Sequence, residues 1–150
     1  MNKITFAIFV LLTSNIYASK KDSIPIVALL YSNHLEYSVE IGALIPHKSW
    51  NSGVEIIGGK GLFATGELGT KGGMFSLGYG IKTSAIMAGS YGVLGGFTYL
   101  KPWGNNTELK STDPYYGFEL KGNAVLFTAK LGYLKNSNDN ITTFSIGFGF

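Results

Sequence analysis

The sequence of 150 residues contains no cysteine and no arginine, and it is poor in charge. The absence of cysteine excludes disulfides, zinc–cysteine sites, iron–sulfur clusters and thiol nucleophiles. All 12 basic residues are lysines, so no guanidinium group is present for bidentate recognition of phosphate or carboxylate groups. Charged residues make up 14% of the chain, against a usual ~25%. No basic cluster follows Lys20–Lys21, which argues against nucleic acid as a partner.

Groups for metal or cofactor chemistry are also scarce. The chain has two histidines, His34 and His47, and neither stands at a zinc-binding spacing. The segment Gly78–Thr83 lacks the spacing of a phosphate-binding loop. We therefore expect no metal and no cofactor. What is abundant is glycine, with 21 residues, and hydrophobic side chains, at 45%, a composition that excludes a disordered chain.

The first residues have the composition of a secretory signal sequence. Met1–Lys3 is short and positive, Ile4–Leu12 is apolar apart from Thr5, and the more polar segment that follows ends at Ala18. A membrane-spanning helix needs ~20 apolar residues, so this run is too short to remain as an anchor. We predict a signal peptide over 1–18, cleaved after Ala18, and a single domain over 19–150, exported across the inner membrane.

The exported part has the period-two alternation of β-strands. In the last ten residues, large apolar side chains alternate with Thr, Ser and Gly, and Phe118, Phe75 and Tyr37 lie in segments of the same kind. We predict eight strands, over about 23–32, 35–45, 52–69, 73–82, 85–100, 114–121, 124–134 and 141–150. The connections include Pro46–Asn51 and a tight turn at Gly122–Asn123. The fold class is all-β, an antiparallel up-and-down barrel of about eight strands.

One segment admits a second interpretation. Thr83–Leu100 is uncharged and contains Gly92-x-x-x-Gly96, a pattern found in packed transmembrane helices. Its four glycines and its hydroxyl groups make it only mildly hydrophobic, and Met87, Tyr91, Val93, Phe97 and Tyr99 share one strand parity. We favour the strand interpretation.

The composition of the two faces of the sheet predicts which face lines the barrel lumen and which contacts lipid. The face opposite the large apolar residues is mostly Gly, Ser and Thr with isolated charges, whereas a soluble barrel needs a surface rich in Lys and Glu. Small residues and a few opposite charges suit a narrow lumen, and an apolar aromatic face suits lipid. The predicted lumen charges are Glu36, Glu40, Glu67, Lys82, Glu119 and Lys130.

The chain ends in Phe144-x-Ile146-x-Phe148-x-Phe150. With the signal sequence and the alternating strands, this ending resembles the small outer-membrane β-barrel proteins of Gram-negative bacteria. The resemblance implies that Phe144, Ile146, Phe148 and Phe150 are read by the outer-membrane assembly machinery. It also implies outer-membrane lipid as a partner. It specifies a class and no activity.

Two groups of residues are weaker candidates for a site. Ser32, His34 and Glu36 share one face of a strand and could form a hydrolytic triad acting on lipid at the barrel rim. A polar turn leading into a strand is the favoured interpretation. The segment 101–113 is the longest and most polar connection, and with Trp103, Tyr115 and Tyr116 it could bind a glycan or a protein partner.

The sequence therefore favours a non-enzymatic outer-membrane barrel with a structural, adhesive or surface-interaction role. An eight-stranded barrel is filled by its own side chains, so we expect no wide pore. Two alternatives stay open. One is a soluble periplasmic or secreted barrel that binds an apolar ligand as lipocalins do, and the other is the lipid hydrolase.

Overall fold

The computed structural model describes residues 23–52, 56–85, 89–103, 109 and 112–149. Eight antiparallel strands form a closed barrel in which each strand pairs with its neighbours in sequence and β1 pairs with β8. The strands are β1 (Ile24–Ser32), β2 (Glu36–Ser52), β3 (Ile56–Gly69), β4 (Gly72–Ala85), β5 (Gly89–Pro102), β6 (Tyr115–Val125), β7 (Phe127–Lys135) and β8 (Asn140–Gly149). The predicted fold class and number of strands are confirmed. The predicted signal peptide and Phe150 lie outside the described residues.

The register of the paired residues shifts steadily along the strands from β1 around to β8. Ile24 lies near one end of β1. Moving from each residue to its paired residue on the next strand, from β1 around to β8, leads from Ile24 to Thr143, which lies beside the turn at the other end of β1. A shift of about ten residues in eight strands means strongly tilted strands and an interior only wide enough for side chains. We call the end where β1 leads into β2 the loop end, and the end where β2 leads into β3 the hairpin end.

Small and large residues share the interior. Gly78 of β4 faces inward, and a Cβ added there would lie 2.8 Å from Cε1 of Phe63 and 2.4 Å from Cα of Gly96. The missing side chain leaves space for the phenyl ring, which is 5% exposed. Glycine on the inner face is therefore a packing requirement of a narrow barrel.

The helix interpretation of Thr83–Leu100 is wrong, because the described residues of this segment lie in β4 and β5. Uncharged and glycine-rich, they pair along their length, with Lys82 opposite Gly92 and Gly78 opposite Gly96. Among the described residues, no helix is long and apolar enough to cross a membrane.

The predicted turn at Gly122–Asn123 is also wrong. Gly122 pairs with Ala129 and Asn123 with Thr128, and the chain turns only after Ala124. Val125 adopts a φ of 60°, which is strained for a β-branched residue. The longer ladder adds backbone hydrogen bonds and brings Asn123 Nδ2 within 2.5 Å of Thr128 Oγ1 inside the barrel, and this outweighs the local preference of Gly-Asn for a turn.

The predicted connection Pro46–Asn51 is instead the second half of β2. The strand continues to Ser52, with a shift of register between Pro46 and Lys48. Proline has no N–H group to donate to a ladder, so a β-bulge at this position is expected once pairing extends past it.

Candidate functional site

Five charged side chains meet in the middle of the barrel interior. The ammonium of Lys130 lies 2.6 Å from Glu67 Oε2, 3.1 Å from Glu119 Oε1 and 3.6 Å from Glu40 Oε1. Lys121 forms an ion pair with Glu40. All five residues are buried, so the two ammonium groups compensate two of the three carboxylates out of contact with solvent.

The network connects opposite walls of the barrel. In the register, Lys121 of β6 is directly opposite Lys130 of β7, and Glu40 of β2 is directly opposite Glu67 of β3. Like charges are therefore neighbours within the wall, where they repel. Their partners lie across the lumen, from β6 to β2 and from β7 to β3, so the ion pairs hold the two sides of the barrel together.

Hydroxyl groups add hydrogen bonds to two of the carboxylates. Ser38 Oγ donates to Glu67 Oε1 at 2.5 Å, and Ser76 Oγ lies 3.5 Å from Glu119 Oε1 and 2.9 Å from Thr98 Oγ1. These serines and threonines are the small polar residues that alternate with large apolar ones along the strands. Ser38 satisfies the Glu67 oxygen that Lys130 leaves unpaired, whereas Ser76 contacts the same Glu119 oxygen as Lys130, and Glu119 Oε2 has no hydrogen-bond partner among the described residues.

Two apolar clusters flank the network along the barrel axis. Toward the hairpin end the cluster consists of Ile24, Ile26, Leu44, Phe63 and Leu94. Toward the loop end it consists of Leu35, Met74, Leu100, Leu109, Tyr115, Leu134 and Ile141. Leu109 comes from the connection between β5 and β6, so part of this loop folds into the barrel mouth. The interior has the layering of a packed core and not of a channel.

Five of the six predicted lumen charges are buried inside the barrel: Glu40, Glu67, Lys82, Glu119 and Lys130. The ammonium of Lys82 has no hydrogen-bond partner among the described residues. Glu36 differs from the prediction, because it lies at the loop-end rim with a φ of 55°. Its carboxylate lies 2.7 Å from Lys71 Nζ and accepts a hydrogen bond from Thr70, and these contacts hold the pKa of Glu36 below its ordinary value.

Lys121 is the member of the network that the sequence prediction omitted. It lies on the same strand parity as Glu119, and that parity was the available signal. The predicted turn at Gly122–Asn123 would have placed Lys121 at the end of a strand, where a charge needs no partner. The longer β6 places it in the barrel interior.

The residues of the candidate triad have separate partners. Ser32 Oγ accepts a hydrogen bond from the backbone N–H of Leu35 at 2.8 Å and caps the turn. The Nε2 atom of His34 lies 3.1 Å from the carbonyl oxygen of Thr142 in β8, and Glu36 binds Lys71 and Thr70. These hydrogen bonds connect the turn to β8 and to the β3–β4 turn.

The three aromatic residues of the candidate loop site lie in different environments. Trp103 donates from Nε1 to the carbonyl oxygen of Gly69 at 3.2 Å and remains 44% exposed. Tyr116 faces outward and is exposed, whereas Tyr115 is completely buried in the loop-end cluster. Tyr115 thus fills the barrel mouth, because it occupies an inward position of β6. The rest of this connection, 104–108 and 110–111, lies outside the described residues.

The outer wall is the apolar face of the same strands. Phe144, Ile146 and Phe148, the described part of the proposed assembly signal, are 49%, 50% and 62% exposed there. Between the two ends, the described outward-facing strand positions carry no charge. Charged side chains reappear only at the ends, as Lys48 and Lys60 at the hairpin end and Lys101 and Lys135 at the loop end.

Tyrosines are concentrated on the outer wall toward the loop end. This belt includes Tyr31 and Tyr37, whose rings pack edge to face at 5.3 Å, and also Tyr99, Tyr116 and Tyr133. Aromatic rings with a polar hydroxyl suit the boundary between an apolar phase and water.

Among the described residues, no cluster of His, Asp or Glu could hold a metal ion. In comparisons with known proteins, no family model, no curated protein and no solved structure matches this chain.

Proposed function

We propose that this chain is a small β-barrel that spans the bacterial outer membrane and has a structural or surface-interaction role. The observation that carries the proposal is the distribution of charge. The interior holds ion pairs, while the described outward-facing positions between the two ends of the wall are uncharged and mostly apolar. Such a wall is unfavourable in water and favourable in lipid, where closed barrels satisfy all backbone groups.

The interior supports a closed barrel in preference to a pore or a ligand carrier. The lumen is occupied by the ion network between two apolar clusters, of which the loop-end cluster contains the completely buried Tyr115 and Leu100. A lipocalin-like carrier needs an interior cavity for its apolar ligand and a polar outer surface. In this barrel the lumen is filled by side chains and the outer wall is apolar. A role for the exposed loop end, with Trp103 at its edge, in contacting a glycan or a protein is part of the same proposal.

Fractionation of bacterial envelopes tests the proposal. The chain should remain with the outer membrane after a wash with urea, and its band in dodecyl sulfate gels should shift when the sample is boiled. A closed barrel with an interior ion network should resist the detergent until it is heated. A soluble periplasmic band that does not shift would contradict the proposal and favour a barrel with water outside.

A further inference from the structure

Two lysines at the hairpin end stand directly opposite each other on the outer wall. Lys48 of β2 pairs in register with Lys60 of β3, and neither has an ion-pair or hydrogen-bond partner among the described residues. Like charges in directly opposed positions of a sheet destabilise it. An anion bound between the two ammonium groups would remove this repulsion.

The β-bulge explains why other polar groups gather beside these lysines. The extra residue between Pro46 and Lys48 is His47, whose ring stacks on Tyr79 of β4 at 5.6 Å between ring centroids. The Tyr79 hydroxyl lies 3.2 Å from Nε2 of His47. Bulges commonly redirect a side chain in this way. The two rings meet over β3, the strand between β2 and β4, and form a polar margin next to Lys60.

Trp50 borders the patch on its other side. Its indole lies against the backbone of Gly58, where an added Cβ would be 2.0 Å from Nε1. Glycine at this position therefore lets the ring lie flat on the wall with an exposed edge. Indole rings with one polar edge suit the interface between lipid tails and water.

The patch passes directly into an apolar surface. Ile45, Leu62 and Ile81 are 66%, 62% and 47% exposed, and they lead from the lysines toward the middle of the barrel wall. A ligand that matches both parts carries a negative group beside an apolar chain. A phospholipid with an anionic phosphodiester headgroup has this chemistry, and basic groups at membrane boundaries attract such lipids.

The lysines at the loop end have a different arrangement. Lys101 Nζ donates to the carbonyl oxygen of Thr112 at 3.0 Å. Lys135 is opposite Asn140 in β8 and Tyr116 in β6. They form no opposed pair of cations, and they serve as the matched control.

We propose that Lys48 and Lys60, bordered by His47, Trp50 and Tyr79, bind the headgroup of an anionic phospholipid in the leaflet at the hairpin end. This inference rests on the proposed function, since it places the patch at a membrane boundary. It adds a lipid preference that spanning alone does not require.

The two tryptophans lie at opposite ends of the barrel, which allows a direct measurement. Trp103→Phe leaves Trp50 as the reporter beside the patch. This variant is folded into phosphatidylcholine vesicles that contain a small fraction of brominated lipid. We expect brominated phosphatidylglycerol to quench Trp50 at a roughly 25-fold lower mole fraction than brominated phosphatidylcholine at low salt, about fivefold for each of the two lysines. The preference should decline as sodium chloride is added.

Charge-removing variants assign the preference to residues. Lys48→Gln with Lys60→Gln should abolish it, whereas Lys101→Gln with Lys135→Gln should retain it. Heat modification of each variant shows that the barrel is folded. If the first pair does not fold, Lys48→Gln alone should reduce the preference about fivefold.

The outcomes separate this inference from the proposed function. Equal quenching by the two brominated lipids would overturn the headgroup site and leave the spanning barrel intact. Absence of quenching by either lipid would overturn the spanning barrel. Loss of the preference in the loop-end control would show a general effect of charge and overturn the site. Sodium phosphate that abolishes the preference, where sodium chloride of equal ionic strength does not, would make free phosphate the ligand and overturn the lipid assignment.

Discussion

The inner and outer faces of the barrel wall are built from alternate residues of the same strands, and they suit opposite environments. Lys130 faces inward and contacts three carboxylates, while Leu131, the next residue, faces outward and is 56% exposed. In a water-soluble protein the expected arrangement is the reverse. The comparison shows that the lysine has its ion-pair partners inside, whereas the leucine lies exposed on the wall, where the proposed contact with lipid would cover it.

The largest effect is expected when the inner face loses its central cation. Lys130→Met leaves Glu67 and Glu119 buried without their ion pair, and breaking a buried pair from one side costs about 3–5 kcal/mol. The urea midpoint of the folded barrel, followed by tryptophan fluorescence, measures this cost.

Two further variants sharpen this test. Lys135→Met, at the exposed loop end of the same strand, should change stability by no more than about 0.5 kcal/mol. Adding Glu67→Gln to Lys130→Met should recover part of the loss, because one uncompensated charge is removed. An unchanged midpoint for Lys130→Met would mean that the interior ions do not stabilise the barrel.

A somewhat smaller effect is expected when the outer face gains a cation. Leu131→Lys places an ammonium on the uncharged wall, which costs about 2–4 kcal/mol near the middle of a bilayer. Folding into vesicles at graded urea concentrations measures it. Thr142→Lys, on the outer wall close to the loop end, should cost much less because the effect depends on depth. Equal and negligible costs at both positions would place the outer face in water.

The smallest effect is expected at the rim, where the contrast between the faces disappears. The hydrogen bond and ion pair with Lys71 lower the pKa of Glu36 from its ordinary 4.5. A carboxyl group with a lowered pKa contributes stability above its ordinary pKa, and this contribution is lost as the pH falls through the value in the folded protein. Because the group is exposed, solvent screens the pair.

Glu36→Gln should therefore leave the urea midpoint at pH 7 nearly unchanged and slightly reduce its decrease toward about pH 3. Lys71→Gln is the matched variant and should act in the same way. A large loss of stability at pH 7 in either variant would contradict a screened rim pair.

Prediction from the sequence succeeded for the properties that depend on a single strand, such as the face on which each side chain lies. Phe144, Ile146 and Phe148 alternate with small residues, and they lie on the outer wall. The same alternation placed Glu40 and Glu119 on the inner face. Prediction failed where partner strands decide the outcome. The β6–β7 turn comes later than predicted because the two strands pair further along. Tyr115 fills the mouth of the closed barrel, and β2 continues past Pro46 through a β-bulge.

The sequence by itself determined the strands, their faces and the polarity of the wall, because the side chains of a β-strand alternate with a period of two. The ion pairs were decided by the tertiary structure alone. Glu40 and Lys121 are 81 residues apart in the chain, and Glu67 and Lys130 are 63 residues apart. Within the wall each of these residues has a like charge as its neighbour. Glu119 reaches Lys130 from the adjacent strand, but the pairs Lys121–Glu40 and Lys130–Glu67 form only after the barrel closes and brings the far wall across a narrow lumen.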